Sequence, residues 1–74
     1  MADIQERLEG LIHTIESTKE INSVGIRQEV GKFLSQQEDH PAYRDVDQMH
    51  DWIGPDTNQV GALYLLKQIK DNYF

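Results

Sequence analysis

The sequence predicts an all-α protein: a small antiparallel four-helix bundle with one short third helix. Three observations carry that expectation. Apolar residues recur at helical spacing in four separate stretches, no stretch alternates with the period of two of a half-buried strand, and Asn, Gly and Pro punctuate the joins. Helices joined by connections this short pack as antiparallel neighbours. With no internal repeat, low-complexity linker or shift in composition, residues 1–74 read as a single helical domain.

Ile4, Leu8, Leu11, Ile12 and Ile15 fall on one face of a helix, with Glu6, Arg7, Glu9, Glu16 and Lys19 elsewhere. Asp3 and Glu6 suit the positive end of that helix's dipole. The periodicity fails around residues 17–23, where Asn22 and Ser23 are good N-caps for a second helix. That helix places Ile26, Val30, Phe33 and Leu34 together, and it carries Gly25 and Gly31, each expected to cost about 1 kcal/mol against alanine. Pro41 disfavours helical backbone at His40, so the second helix is expected to end near residues 37–39. The third, short helix is expected over 42–53, from the spacing of Val46, Met49, Trp52 and Ile53, with Asp45, Asp47 and Asp51 projecting outward; Gly54 and Pro55 stop it. Asp56 followed by Gln59 has the form of a capping box for the last helix, which runs through Val60, Leu63, Leu66, Ile69 and Tyr73. Its VGALYLL centre is apolar on several faces, so it is expected to be the most buried helix.

A chain of 74 residues buries only about 60–65% of the surface its unfolded form exposes. A pocket large enough to enclose a substrate would consume much of so small a core, which disfavours an enzyme. No serine sits in a nucleophile motif. Asp47 and Asp51, four apart, are read as solvated surface and not as a catalytic pair. His40 and His50 with Asp39 and Asp51 lack metal-ligand spacing, and no nucleotide-binding glycine motif is present, so neither metal nor cofactor is expected. The absence of cysteine, of a basic region followed by an apolar run, and of a membrane-length apolar stretch reads as a cytoplasmic protein that is neither exported nor membrane-bound.

The net charge of −6 argues against direct binding to nucleic acid and for a basic protein partner. The acidity is concentrated. Residues 38–56 hold both prolines, the only tryptophan and six of the thirteen acids (Glu38, Asp39, Asp45, Asp47, Asp51, Asp56) against a single Arg44. Within this segment Trp52 is read as a core anchor. Tyr43, beside the proline turn and outside any apolar stripe, is read as an interface residue, and Met49 is a further candidate.

These residues resemble the colicin and pyocin nuclease immunity proteins. Four pieces carry the likeness in order: LIHTI (Leu11 to Ile15), the Ile26, Val30, Phe33 pattern, DHPAYRDV (Asp39 to Val46), and GALYLLKQIK (Gly61 to Lys70). The resemblance implies a four-helix bundle that binds and inhibits a basic bacteriocin nuclease domain, with helix 2 choosing the toxin and helix 3, opened by Asp45, supplying affinity. Transferred by position, the specificity surface includes Ser23, Ile26, Arg27, Val30 and Leu34, of which Ile26 and Val30 are equally open to a core reading. The expected contact surface is therefore an acidic helix 2/helix 3 face of Glu38, Asp39, Tyr43, Asp45, Asp47, Met49 and Asp51 with Arg27 and Val30. Gln48 and Met49 stand where the family carries the tyrosines of its Tyr-Tyr-Pro triplet, which leaves Tyr43 or Trp52 to supply the aromatic contribution. The alternative is an acidic adaptor, phage-borne or regulatory, that dimerises through Tyr64, Tyr73 and Phe74; the immunity reading favours a monomer.

Overall fold

The computed structural model describes residues 3–36 and 40–74. They form four helices: α1 over Ile4–Ser17, α2 over Ser23–Leu34, α3 over Pro41–Trp52 and α4 over Gln59–Tyr73. No strand occurs among them, and the four helices close around one apolar cluster, so the small all-α bundle is the fold. Cross-contacts set the directions. Glu9 and Glu16 on α1 meet Lys70 and Lys67 on α4 at 3.1 and 3.4 Å, Phe33 near the end of α2 stacks on Tyr43 near the start of α3, and Asp45 meets Tyr73. Helices α1 and α3 thus run against α4.

Side-chain caps begin every helix. Asp3 accepts from the Glu6 N–H at 2.9 Å, Asn22 from Gly25 at 2.8 Å, and Asn58 from Gly61 at 2.8 Å. At α3 the cap is His40, whose Nδ1 accepts from the Ala42 N–H at 3.0 Å, followed by Pro41 at the first helical position. Proline is at home there because its missing N–H would have had no partner.

These caps move several expected boundaries. The last helix does not start from an Asp56–Gln59 capping box. Residues 54–57 instead close a turn, with the Gly54 N–H donating to Thr57 Oγ1 and the Thr57 N–H to the Gly54 carbonyl, both at 3.0 Å. Asn58 is left as the cap. Gln59 then reaches to α1, where its Nε2 donates to the Ile15 carbonyl at 2.7 Å and satisfies a helix end. Helix α2 stops at Leu34, before the expected 37–39, which lie outside the described residues. Asp45 does not open α3 but sits one turn inside it, and at 12 residues α3 equals α2 in length.

The core also differs from expectation in two places. α1 buries Ile4, Leu8, Leu11, Ile12 and Ile15, whereas α4 buries Ala62, Leu66 and Ile69 while Val60 and Tyr64 stay 76% and 61% exposed. Only the i, i+4, i+7 stripe of VGALYLL and its continuation can face the bundle, however apolar the other faces are. Trp52, expected in the core, is 78% exposed, and Ile53 is buried in its stead. Ala42, Val46, Met49 and Ile53 share one side of α3, and Trp52 lies about 100° around the helix from Ile53.

The two glycines of α2 differ in their surroundings. A Cβ added to Gly25 would lie 2.9 Å from Cγ1 of Ile21, but one at Gly31 would meet only His50 Nε2, at 3.9 Å. Gly31→Ala should therefore raise the stability by up to about 1 kcal/mol, while Gly25→Ala should give no gain or a loss, as urea unfolding will report. Equal gains at both positions would contradict this packing.

Candidate functional site

The rotational setting of α3 decides which of its side chains a partner can touch. Tyr43 is held from three directions. Its ring stacks on Phe33 with centroids 4.9 Å apart, its hydroxyl donates to the Gln36 carbonyl at 2.6 Å, and the Arg7 guanidinium lies 5.8 Å from its ring centroid. Arg7 Nη1 donates to the same carbonyl at 3.0 Å. With Tyr43, Val46, Met49 and Ile53 turned inward, Arg44, Asp47, Gln48, Asp51 and Trp52 are turned outward.

The expected site residues accordingly divide. Asp47 and Asp51 are exposed on the outer face of α3, and Asp45 is half-buried at its edge. Tyr43 is 8% exposed, Met49 is buried and Val30 is wholly enclosed, so in this fold all three pack the core instead of presenting themselves to a partner. Arg27 is exposed near the start of α2, beside Gly54 and Pro55. Glu38 and Asp39 lie outside the described residues. On α2 the exposed charges are the cations Arg27 and Lys32, and Glu29 is half-buried and paired with Lys32 at 3.2 Å. Among the described residues, then, the acidity of the expected helix 2/helix 3 face belongs to α3 alone. The residue missed as a surface group is Trp52, although its offset from the Val46, Met49, Ile53 stripe was a usable signal.

Around Asp45 the carboxy-terminal residues fold back. Tyr73 donates its hydroxyl to Asp45 Oδ2 at 3.0 Å, and the His40 ring stacks on Phe74 with centroids 5.3 Å apart while meeting Tyr73 edge-on at 5.8 Å. The hydrogen bond to Asp45 holds the Tyr73 phenol above its ordinary pKa, with desolvation and the carboxylate charge acting in the same direction and Arg44 against it. His40 is thus occupied by a cap and by ring stacking. No group of three or more His, Cys, Asp or Glu among the described residues is placed to hold a metal ion, and no helix among them is long and apolar enough to cross a membrane.

Two outcomes test this placement. Asp45→Ala should bring the Tyr73 titration, followed by NMR, down toward the ordinary phenol range. Because the folded pKa of Tyr73 is raised, the Tyr73–Asp45 bond stabilises the fold at neutral pH and is lost as pH rises through that titration. An unmoved Tyr73 would exclude the bond. Tyr43→Ala should cost about 3 kcal/mol of stability or more in denaturation, the penalty of an emptied aromatic core position; a variant with wild-type stability would return Tyr43 to the surface.

No family model matches the chain, and no characterised protein or solved structure shows significant similarity to it.

Proposed function

We propose that this protein is a non-enzymatic binding protein that captures a basic protein partner on the outer face of α3, with Trp52 as the anchor. One observation carries the reading: the only tryptophan of the chain stands 78% exposed immediately after Asp51 and five residues after Asp47. An indole left in water retains most of its apolar surface for a partner, at about 25 cal/mol per Å² buried, and Trp is enriched among residues that dominate binding energy. The neighbouring carboxylates, in a chain of net charge −6, speed encounter with a basic surface and discriminate against acidic ones. Small size supports a binding role over catalysis, since a pocket enclosing a substrate would have to displace part of so small an apolar core.

The finer proposal, an immunity-type inhibitor of a bacteriocin nuclease, rests on the motif resemblance. The partner would be the basic nuclease domain, and the acidic face would compete with the DNA phosphates for it. Trp52 then takes the aromatic role that Gln48 and the buried Met49 cannot fill. A specific feature favours a second reading, an acidic adaptor that self-associates: Val60 and Tyr64, four apart, are both exposed along α4. A solution mass twice that of the monomer would support it.

The test begins with the neighbouring reading frames. A large toxin gene with a basic carboxy-terminal nuclease domain should lie beside this one, and that purified domain should lose activity when this protein is added. Trp52→Ala should weaken the complex by about 2 kcal/mol without lowering the melting temperature. Asp47→Asn with Asp51→Asn should slow association and flatten its salt dependence. The absence of such a neighbour together with no nuclease captured in a pull-down would sink the immunity proposal, and wild-type affinity in Trp52→Ala would sink the α3 face.

A further inference from the structure

Between α3 and α4 lies an open groove of about 300 Å³. Met49 and Ile69, both buried, and the half-buried Leu65 form an apolar floor. Trp52 stands toward one end and Asp45 toward the other, seven residues apart on α3 and so about 10 Å along its axis. Gln48 and Gln68 line the same groove from the two helices.

Its charge follows from how the neighbouring seam is built. Both lysines of α4 are drawn to the opposite side, Lys67 to Glu16 and Lys70 to Glu9 of α1. Asp45 lines the groove, Asp51 lies beside Trp52 on α3, and the exposed Arg44 is the nearby cation on that helix. An apolar floor with a carboxylate at one end and an exposed indole at the other matches an apolar and cationic ligand. A second copy of this chain, at net charge −6, is poorly matched.

We propose that this groove is the docking site for a short, basic, amphipathic helix of the partner. Its apolar side chains would lie on Met49, Leu65 and Ile69, an arginine would stack on Trp52 beside Asp51, and a second cation would meet Asp45. Two helices side by side present a furrow into which the ridge of a third can pack, and guanidinium groups favour the face of an indole. Two helical turns of groove accommodate anchors at i and i+4. The inference rests on α3 being the partner-binding face and adds that α4 forms the other wall.

The full chain should be titrated into two labelled 15-residue peptides of equal positive charge: an amphipathic Leu/Arg helix, and the same peptide with its leucines replaced by glutamine. The leucine peptide should bind about tenfold or more tightly than its control and shift the emission of Trp52, the only tryptophan. Gln68→Arg, on an exposed position of the α4 wall, should weaken that binding about tenfold, whereas Gln28→Arg, exposed on α2, should change it by less than about twofold. Melting curves confirm that both variants fold. No preference for the leucine peptide, or equal effects of Gln68→Arg and Gln28→Arg, would overturn the groove. If Trp52→Ala and Asp47→Asn with Asp51→Asn still weakened peptide binding in that case, the α3 face would stand without the groove; if they did not, both would fall. A dimer dispersed by Gln68→Arg would show a second copy as the occupant and overturn the basic helix.

Discussion

The rotational register of α3 is the constraint on which the outward chemistry depends. Tyr43 sets it early, wedged between Phe33 and Arg7 and tied to the Gln36 carbonyl. Once that side chain points inward, the helical period carries Val46, Met49 and Ile53 to the core and leaves Asp47, Asp51 and Trp52 in water. His40 fixes the starting point by capping Ala42 ahead of Pro41. A shift of one residue would turn the helix by about 100°, placing a carboxylate where the core admits only apolar groups. No charged side chain is buried among the described residues, so such a shift has nothing to compensate it.

The bundle separates its two kinds of interaction cleanly. Among the described residues, apolar contacts between sixteen buried side chains hold the helices together, while charges stay at the seams and outer faces. The α1/α4 seam is the mixed one, with Glu9 and Glu16 meeting Lys70 and Lys67. Exposed pairs of this kind contribute little to stability, but they decide where charge lies. By occupying both lysines of α4 they leave the α3 side of the molecule acidic. That surface field, and the indole within it, is what the bundle offers a partner.

Against the immunity-protein likeness, the structure redistributes roles. Asp45, the residue the resemblance carries over most directly, is engaged with Tyr73 at the edge of α3. Val30, assigned to toxin choice by position, is enclosed in the core, and the exposed charges of α2 are cationic. The binding face proposed on α3 would therefore draw on Trp52 and α4 more than on α2.

The sequence by itself determined the helices. The stripe of Ile4 to Ile15, the Asn22 cap, the Pro41 break and the Gly54–Pro55 stop are local signals, and each acts within a few residues of where it is written. Three features needed the tertiary structure. Trp52 and Ile53 are adjacent and both large and apolar, so only the packing of α3 against its neighbours chose which to bury. The VGALYLL run offers several apolar faces, and the position of the bundle selected the one bearing Ala62 and Leu66. Gln59 has the local form of a capping-box residue, yet it bonds to the carbonyl of Ile15, 44 residues away. Local propensity names a helix and its caps, but the facing of a helix is a property of the whole bundle, because burial free energy is gained only where another element supplies the opposing surface.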